Sequence, residues 1–296
     1  MPKLQDYLLL LLLAFVWGSS FIIMKKALAI FPPEQVAALR IFIAALGVLP
    51  VLPYSIKRTK WKHLPVIGVI ALLGSGIPPF LFTLAQTQIS SALAGLLNTL
   101  TPLFTFLLGL LFFGVLFKLQ KLLGVLLGML GGIFLILFST PYSASDNNLY
   151  GLFVVLACLC YATSSNTVKE YAQSISPVAI SAISFLMIGP FAGIFIFSTD
   201  FLYILKTEEG AWTALALIAV LAIVGTAFAN MVFFHLTQRT DALFASMVTY
   251  IIPLVAIFWG LLDGETIDWT YGVGLLAILS GVYLTSWKKS VPYSKN

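Results

Sequence analysis

Ten stretches of apolar residues divide this chain, at positions 7–24, 34–54, 66–87, 91–113, 119–139, 149–171, 177–198, 211–236, 242–262 and 270–287. Runs such as Leu8 to Val16 and Leu122 to Phe138 are apolar on every face. A β-barrel strand would alternate apolar and polar positions, so helices are the fitting element. About twenty helical residues cross roughly 30 Å of hydrocarbon, and the stretches approach that length. The pattern predicts an all-α integral membrane protein with ten transmembrane helices.

The residues that punctuate these stretches recur. Trp17, Lys25 and Pro33 return as Tyr161, Lys169 and Pro177, each 144 positions later. Pro102 and Gly109 return as Pro253 and Gly260, 151 positions later, and Gly114, Gly124 and Gly131 return as Gly264, Gly274 and Gly281, 150 positions later. Five stretches separate the copies. With an odd number of crossings between them, the second copy runs through the bilayer upside down. The expected units are two inverted five-helix repeats, residues 1–143 and 144–296. Halves related in this way can meet around a midplane site and alternate as inner and outer gates. The loops are too short for a soluble catalytic domain.

Composition fixes the solvent. With 60% hydrophobic and 9% charged residues and a mean hydropathy of +1.04, the chain has too little polar surface to cover a soluble globule. Its net charge of +5 does not point to nucleic acid, because the position of the cations carries the meaning. With a cytoplasmic N-terminus, twelve of the sixteen Lys and Arg fall at inner ends, only Lys25, Lys26 and Lys206 face outward, and Arg40 lies within a helix. That bias places both termini in the cytoplasm of a multi-pass protein of the cell (inner) membrane. The Leu-rich start resembles a secretory signal, but Trp17, Met24 and Lys25-Lys26 make a poor cleavage site, and the segment has a repeat partner at 149–171.

Together these residues resemble an EamA-type member of the drug/metabolite transporter superfamily, the group that includes YddG-type amino-acid exporters. The resembling stretches are Phe15 to Phe21, Ala38-Leu39-Arg40, Ser90-Ser91-Ala92 through Pro102, Ala245 through Pro253, Gly260, Gly264-Glu265, and Gly274 to Gly281. They cover essentially the whole chain. One departure is visible: Gly264-Glu265 has Gly114-Val115 as its counterpart, so one repeat lacks the acid. The resemblance implies that segments 1, 3, 4, 6, 8 and 9 line a central cavity while 5 and 10 pack at the periphery. Segment 5 agrees, with Gly124, Gly128, Gly131 and Gly132 but no polar side chain between Leu122 and Phe138.

Polar and aromatic side chains concentrate in the other set. The candidate substrate-binding residues are Trp17, Ser20, Arg40, Gln86, Asn98, Tyr161, Asn166, Asn230, His235 and Tyr250. Polar groups in hydrocarbon are costly unless a neighbour, water or solute satisfies them. Each also has a plainer role. Asn98 and Asn166 fit interhelical bonding equally well. His235 is either a proton acceptor or a solvated helix end. Arg40 either pairs with an anionic group of the solute or reaches outward to loop carbonyls. Trp17 and Tyr161 match across the repeat, away from the interfacial aromatic belt, and are expected in the cavity wall. Cys158 and Cys160 point about 200° apart on one helix and neither bridge nor chelate. Pro102 and Pro253 are expected to bend equivalent walls and act in gating.

No ligand set for a metal or cofactor and no nucleophile with its base is present, so the expectation is a transporter and not an enzyme. The expected activity is movement, most simply export, of a small amphipathic metabolite such as an amino acid by alternating access. The alternative is a carrier or exchanger for an anionic or nucleotide-type metabolite, using Arg40. The expected partners are a small-molecule substrate and the lipid bilayer, with monomer and dimer both open.

Overall fold

The computed structural model describes residues 3–114, 119–138 and 147–286. Among these, every regular element is helical. Eight helices are long and apolar enough to cross a membrane: α1 (Leu4–Leu28), α2 (Pro33–Arg58), α3 (Trp61–Ala85), α4 (Ser91–Phe112), α6 (Asn148–Tyr171), α7 (Pro177–Phe197), α8 (Ala211–Arg239) and α9 (Ala242–Leu262). Between α4 and α6 lies α5 (Leu119–Phe138), and α10 (Trp269–Ser286) follows α9. The apolar runs of these two are shorter. A short helix, Phe201–Thr207, connects α7 to α8.

Local chemistry sets the boundaries. Pro33 and Pro177 open α2 and α7, where the missing N–H costs no intrahelical bond. Repeat-related caps start α4 and α9. Ser90 Oγ accepts from Leu93 N at 3.1 Å, and Asp241 Oδ1 accepts from Phe244 N at 2.8 Å. Gly114 and Gly264, at matching repeat positions, take φ of +67° and +79°, which favours a residue without Cβ.

The halves interlock. The most extensive helix pairings include α5 with α10, α2 with α7, α3 with α6, α4 with α6, α4 with α9 and α1 with α9, and each joins one half to the other. Small residues allow the close approach. A Cβ on Gly281 of α10 would overlap the backbone of Gly124 and Gly128 in α5, and one on Gly95 of α4 would lie 2.7 Å from Ala256 Cβ in α9. The glycine face expected to pack in segment 5 therefore meets α10 and α4: Gly131 lies against Ile278, and Gly128 and Gly132 lie against Leu103 and Leu100.

Contacts also fix the relative direction of the helices. Lys25, near the end of α1, pairs with Asp263 and Glu265 just beyond α9. Asp6, at the start of α1, pairs with Arg239 at the end of α8, beside Lys169 of α6. The repeat-related Lys25 and Lys169 thus lie at opposite ends of the bundle, as inversion requires.

Candidate functional site

Four interruptions of regular helix, in two repeat-related pairs, shape the centre of the bundle. In α3 the turn Ala71–Gly76 widens to π geometry, and in α8 Ile223–Phe228 does the same. The cause differs between them. In α3, Pro78 and Pro79 follow directly, removing N–H donors and crowding the preceding turn. In α8, the Thr226 hydroxyl donates at 3.0 Å to Leu221 O, five residues back, and so satisfies a carbonyl that the widened turn leaves free. In α4 and α9, tight 3-10 turns at Asn98–Leu100 and Met247–Tyr250 precede fresh α-helical runs, Thr101–Phe112 and Ile252–Leu262. Pro102 and Pro253 are the second residues of those runs. Each proline therefore sits where a helix changes pitch, not at a simple bend in a continuous helix.

The π turns meet the opposite half through glycine. A Cβ on Gly74 would sit 2.6 Å from Ser164 Oγ, and one on Gly225 would sit 3.2 Å from Ser20 Oγ. Both members correspond across the repeat, since 74 + 151 = 225 and 20 + 144 = 164. Trp17 Nε1 donates to Gly225 O at 2.9 Å, tying the α8 turn to α1, and Asn230 Nδ2, just beyond that turn, donates to Ser75 Oγ of the α3 turn at 2.9 Å.

These elements enclose a central cavity of about 80 Å³, enough for several waters or part of a small solute. Its wall sets six aromatic residues among ten Ser, Thr and Asn side chains: Trp17 lies 5.2 Å from Phe233, Phe82 stacks 6.0 Å from Tyr161, and Phe21 meets Phe82 edge-on at 5.7 Å. Arg40 is the charged residue of the lining. It is 7% exposed. Its Nε donates to Thr226 Oγ1 at 2.7 Å and one Nη reaches Met24 Sδ at 3.7 Å. The lining helices are α1, α2, α3, α4, α6, α8 and α9, while α5 and α10 stay outside. Arg40 brings α2 into the wall, which the resemblance did not imply. It bonds inward to α8 and does not reach the loop carbonyls.

Of the ten candidate residues, Trp17, Ser20, Arg40, Asn98, Tyr161 and Asn230 line this cavity. The other four do not. Gln86 is spent on Phe21 O at 3.1 Å and Ser91 Oγ at 3.3 Å. Asn166 Nδ2 donates to Thr105 O and Ala162 O, both at 3.0 Å, and so serves as helix glue. His235 is exposed, on the last turns of α8. Tyr250 packs into the core, its hydroxyl buried with no partner among the described residues. Gln86 and His235 follow the π turns of α3 and α8 and Tyr250 lies in the 3-10 turn of α9, so those turns set their helical phase, whereas Asn166 sits in the uninterrupted helix α6. Sequence reading missed Thr226, Ser75 and Ser164; the Gly74/Gly225 correspondence was the available signal.

The two ends of the bundle are tied differently. At one, Lys25 Nζ lies 2.8 Å from Asp263 Oδ2 and 2.9 Å from Glu265 Oε1, and Lys26 also pairs with Asp263. Glu265, 3% exposed, accepts as well from Ser91 N at 3.0 Å and Ala92 N at 3.1 Å, filling the positive N-terminus of α4. Burial works to raise the Asp263 carboxyl, but hydrogen bonds and charge from Lys25 and Lys26 outweigh it and hold that group below its usual value. At the other end, Lys169 Nζ donates to the carbonyls of Gln238 at 3.3 Å and Thr240 at 2.6 Å. Val115, which replaces the acid in that copy, lies outside the described residues.

A multi-pass helical membrane protein with two interlocked halves around a central polar and aromatic cavity belongs to the class of membrane transporters. The profile of the EamA-like transporter family matches twice, at residues 5–138 and 148–287, and the chain belongs to that family. It is 25% identical over 290 residues to an uncharacterised transporter of Archaeoglobus fulgidus, covering 97% of this chain and all of the other. It is 24% identical to a probable amino-acid metabolite efflux pump of Escherichia coli K12, covering 97% of this chain and 98% of that one. Similarity at 24% identity extends to the E. coli inner membrane transporter YedA, over 94% of this chain and 89% of YedA. A solved crystal structure shares the fold with a TM-score of 0.63 at 17% identity, covering 96% of this chain and 97% of that one.

Proposed function

We propose that this protein moves a small amphipathic metabolite, such as an amino acid, across the cell membrane by alternating access, most simply as an exporter. In this reading ten helices cross the bilayer with both termini in the cytoplasm, and the halves 1–143 and 144–296 are the units that rock. The carrying observation is the cavity itself: its wall is built from repeat-related pairs, Trp17 with Tyr161, Ser20 with Ser164 and Ser75 with Thr226, drawn from both halves. Pro102 and Pro253, directly after 3-10 turns in α4 and α9, are the proposed hinges of the gates. The efflux annotation in the name of the E. coli relative supports the direction and the amino-acid class. A nucleotide-type substrate has less support, because one cation faces the cavity and a polyphosphate needs several.

Reconstitution into proteoliposomes with a panel of labelled amino acids and related metabolites tests the reading. Pro253→Ala is expected to lower uptake several-fold with little change in thermal midpoint, since the residue shapes a hinge and not a large share of the core. Uptake identical to the parent would remove Pro253 from the gate.

A further inference from the structure

Arg40 makes a sharper statement possible about what the cavity holds, and it rests on the transporter reading. The guanidinium is permanently charged and 7% exposed. Among the described residues no carboxylate pairs with it. Its partners are a hydroxyl and a thioether, and the Thr226 hydroxyl is itself committed to Leu221 O. Neither supplies negative charge. Burying a cation without a counter-charge is costly, so its persistence calls for an anion that comes and goes.

The repeat supplies an independent observation. Arg40 corresponds to Ser184, since 40 + 144 = 184, and Ser184 Oγ is buried with no partner among the described residues. The fold builds the same place in α7 without a cation, so the architecture does not demand one in α2. Thr226 likewise corresponds to Ser75, since 75 + 151 = 226. The charge therefore breaks the symmetry of the cavity in one place, beside Met24.

We infer that Arg40 is the receptor for a single carboxylate on the transported solute, whose apolar body lies against Trp17, Phe82, Tyr161 and Phe233. A guanidinium presents its donors as a planar fork that matches a carboxylate in paired hydrogen bonds. The Nε donor is already taken by Thr226 and one hydrogen of Nη1 by Met24 Sδ, which orients the fork and leaves Nη2 and the second Nη1 hydrogen for the ligand. The lining contains no Asp or Glu among the described residues. A cationic amine that carries no carboxylate of its own, unlike a zwitterionic amino acid, has no counter-charge there and is rejected, and a second negative charge on the solute would go unmatched. Acids with an aryl or alkyl body are the class selected.

The test uses the purified full-length protein and three probes of similar shape: 3-phenylpropionate, 3-phenylpropionamide and 2-phenylethylamine, titrated by thermal shift and intrinsic tryptophan fluorescence. The acid is expected to bind on the order of tenfold or more tighter than the amide, the yield of a charge-assisted hydrogen bond, and the amine not to bind. Arg40→Gln is expected to bring the acid-to-amide ratio to about one, while Arg40→Lys, which keeps charge but loses the fork, retains part of the preference. Equal affinity of acid and amide for the parent protein, binding of neither, or an unchanged preference in Arg40→Gln overturns the assignment. If Arg40→Gln does not fold, the parent protein and Arg40→Lys decide the question from the ligand side. Flux in proteoliposomes separates the two readings: moving amide and acid alike leaves a transporter without a carboxylate receptor, and selective binding of the acid with no solute moved leaves the receptor without transport.

Discussion

The Lys25 end and the Lys169 end of the bundle are built from corresponding residues, yet different chemistry closes them. Lys25 meets two carboxylates, and one of these, Glu265, also fills the N-terminus of α4. Among the described residues Lys169 meets only backbone carbonyls, and an ion pair at its end joins Asp6 to Arg239 on other helices. The acid of the Gly-Glu pair is present in one copy and replaced by Val115 in the other, so a symmetric scaffold carries an asymmetric latch. In the alternating-access cycle proposed above, the two gates would differ in strength, and the state populated at rest would follow from that difference and not from the repeat.

The largest effect is expected from Glu265→Ala. It strips the charge from a buried site that serves Lys25 and two backbone N–H groups together, and a loss of about 3 kcal/mol follows for a broken buried pair. Thermal unfolding in detergent measures it, with increased labelling of an engineered cysteine near Ser91 as the sign that this end has opened. Next comes a matched pair: Lys25→Met is expected to cost about 1–2 kcal/mol because it leaves two acids short of a partner, and Lys169→Met under about 1 kcal/mol because carbonyls turn to water. Equal losses would mean that the charge asymmetry has no energetic consequence.

The smallest effect expected is one of pH. The Asp263 carboxyl is held below its usual value in the folded protein. Its contribution is therefore complete above the ordinary carboxylate value near 3.9 and is lost as pH falls through the lower folded value. Acidification on the Lys25 side should loosen that end. Cysteine accessibility at the two ends, followed from pH 7 downward, reports the difference; loosening that began at the Lys169 end would reverse the assignment.

Much of this architecture was legible along the chain. The apolar runs located the helices to within a few residues, Pro33 and Pro177 marked two starts, and the spacing of Trp17 and Tyr161 placed both in one wall. Arg40 stood out as an intramembrane cation, but its target did not: Thr226 lies 186 positions away and faces it only because α8 widens at Ile223–Phe228. Gln86 and Asn166 looked as suited to a cavity as Asn98 did, and nothing local distinguishes a side chain that bonds a neighbouring helix from one that meets solvent. Glu265 was visible as a broken repeat, and its double duty to Lys25 and α4 was not.

Hydropathy, period and proline position are properties of short stretches, and they are enough to set helix, membrane and inversion. Helical phase at the centre is another matter. One added residue per turn, as in the π segments of α3 and α8, rotates everything beyond it by about 100° at 3.6 residues per turn, and that rotation selects which side chains reach the cavity. It arises where packing between the halves, glycine against serine and indole against carbonyl, offsets the loss of regular hydrogen bonding, an energy balance between residues more than a hundred positions apart.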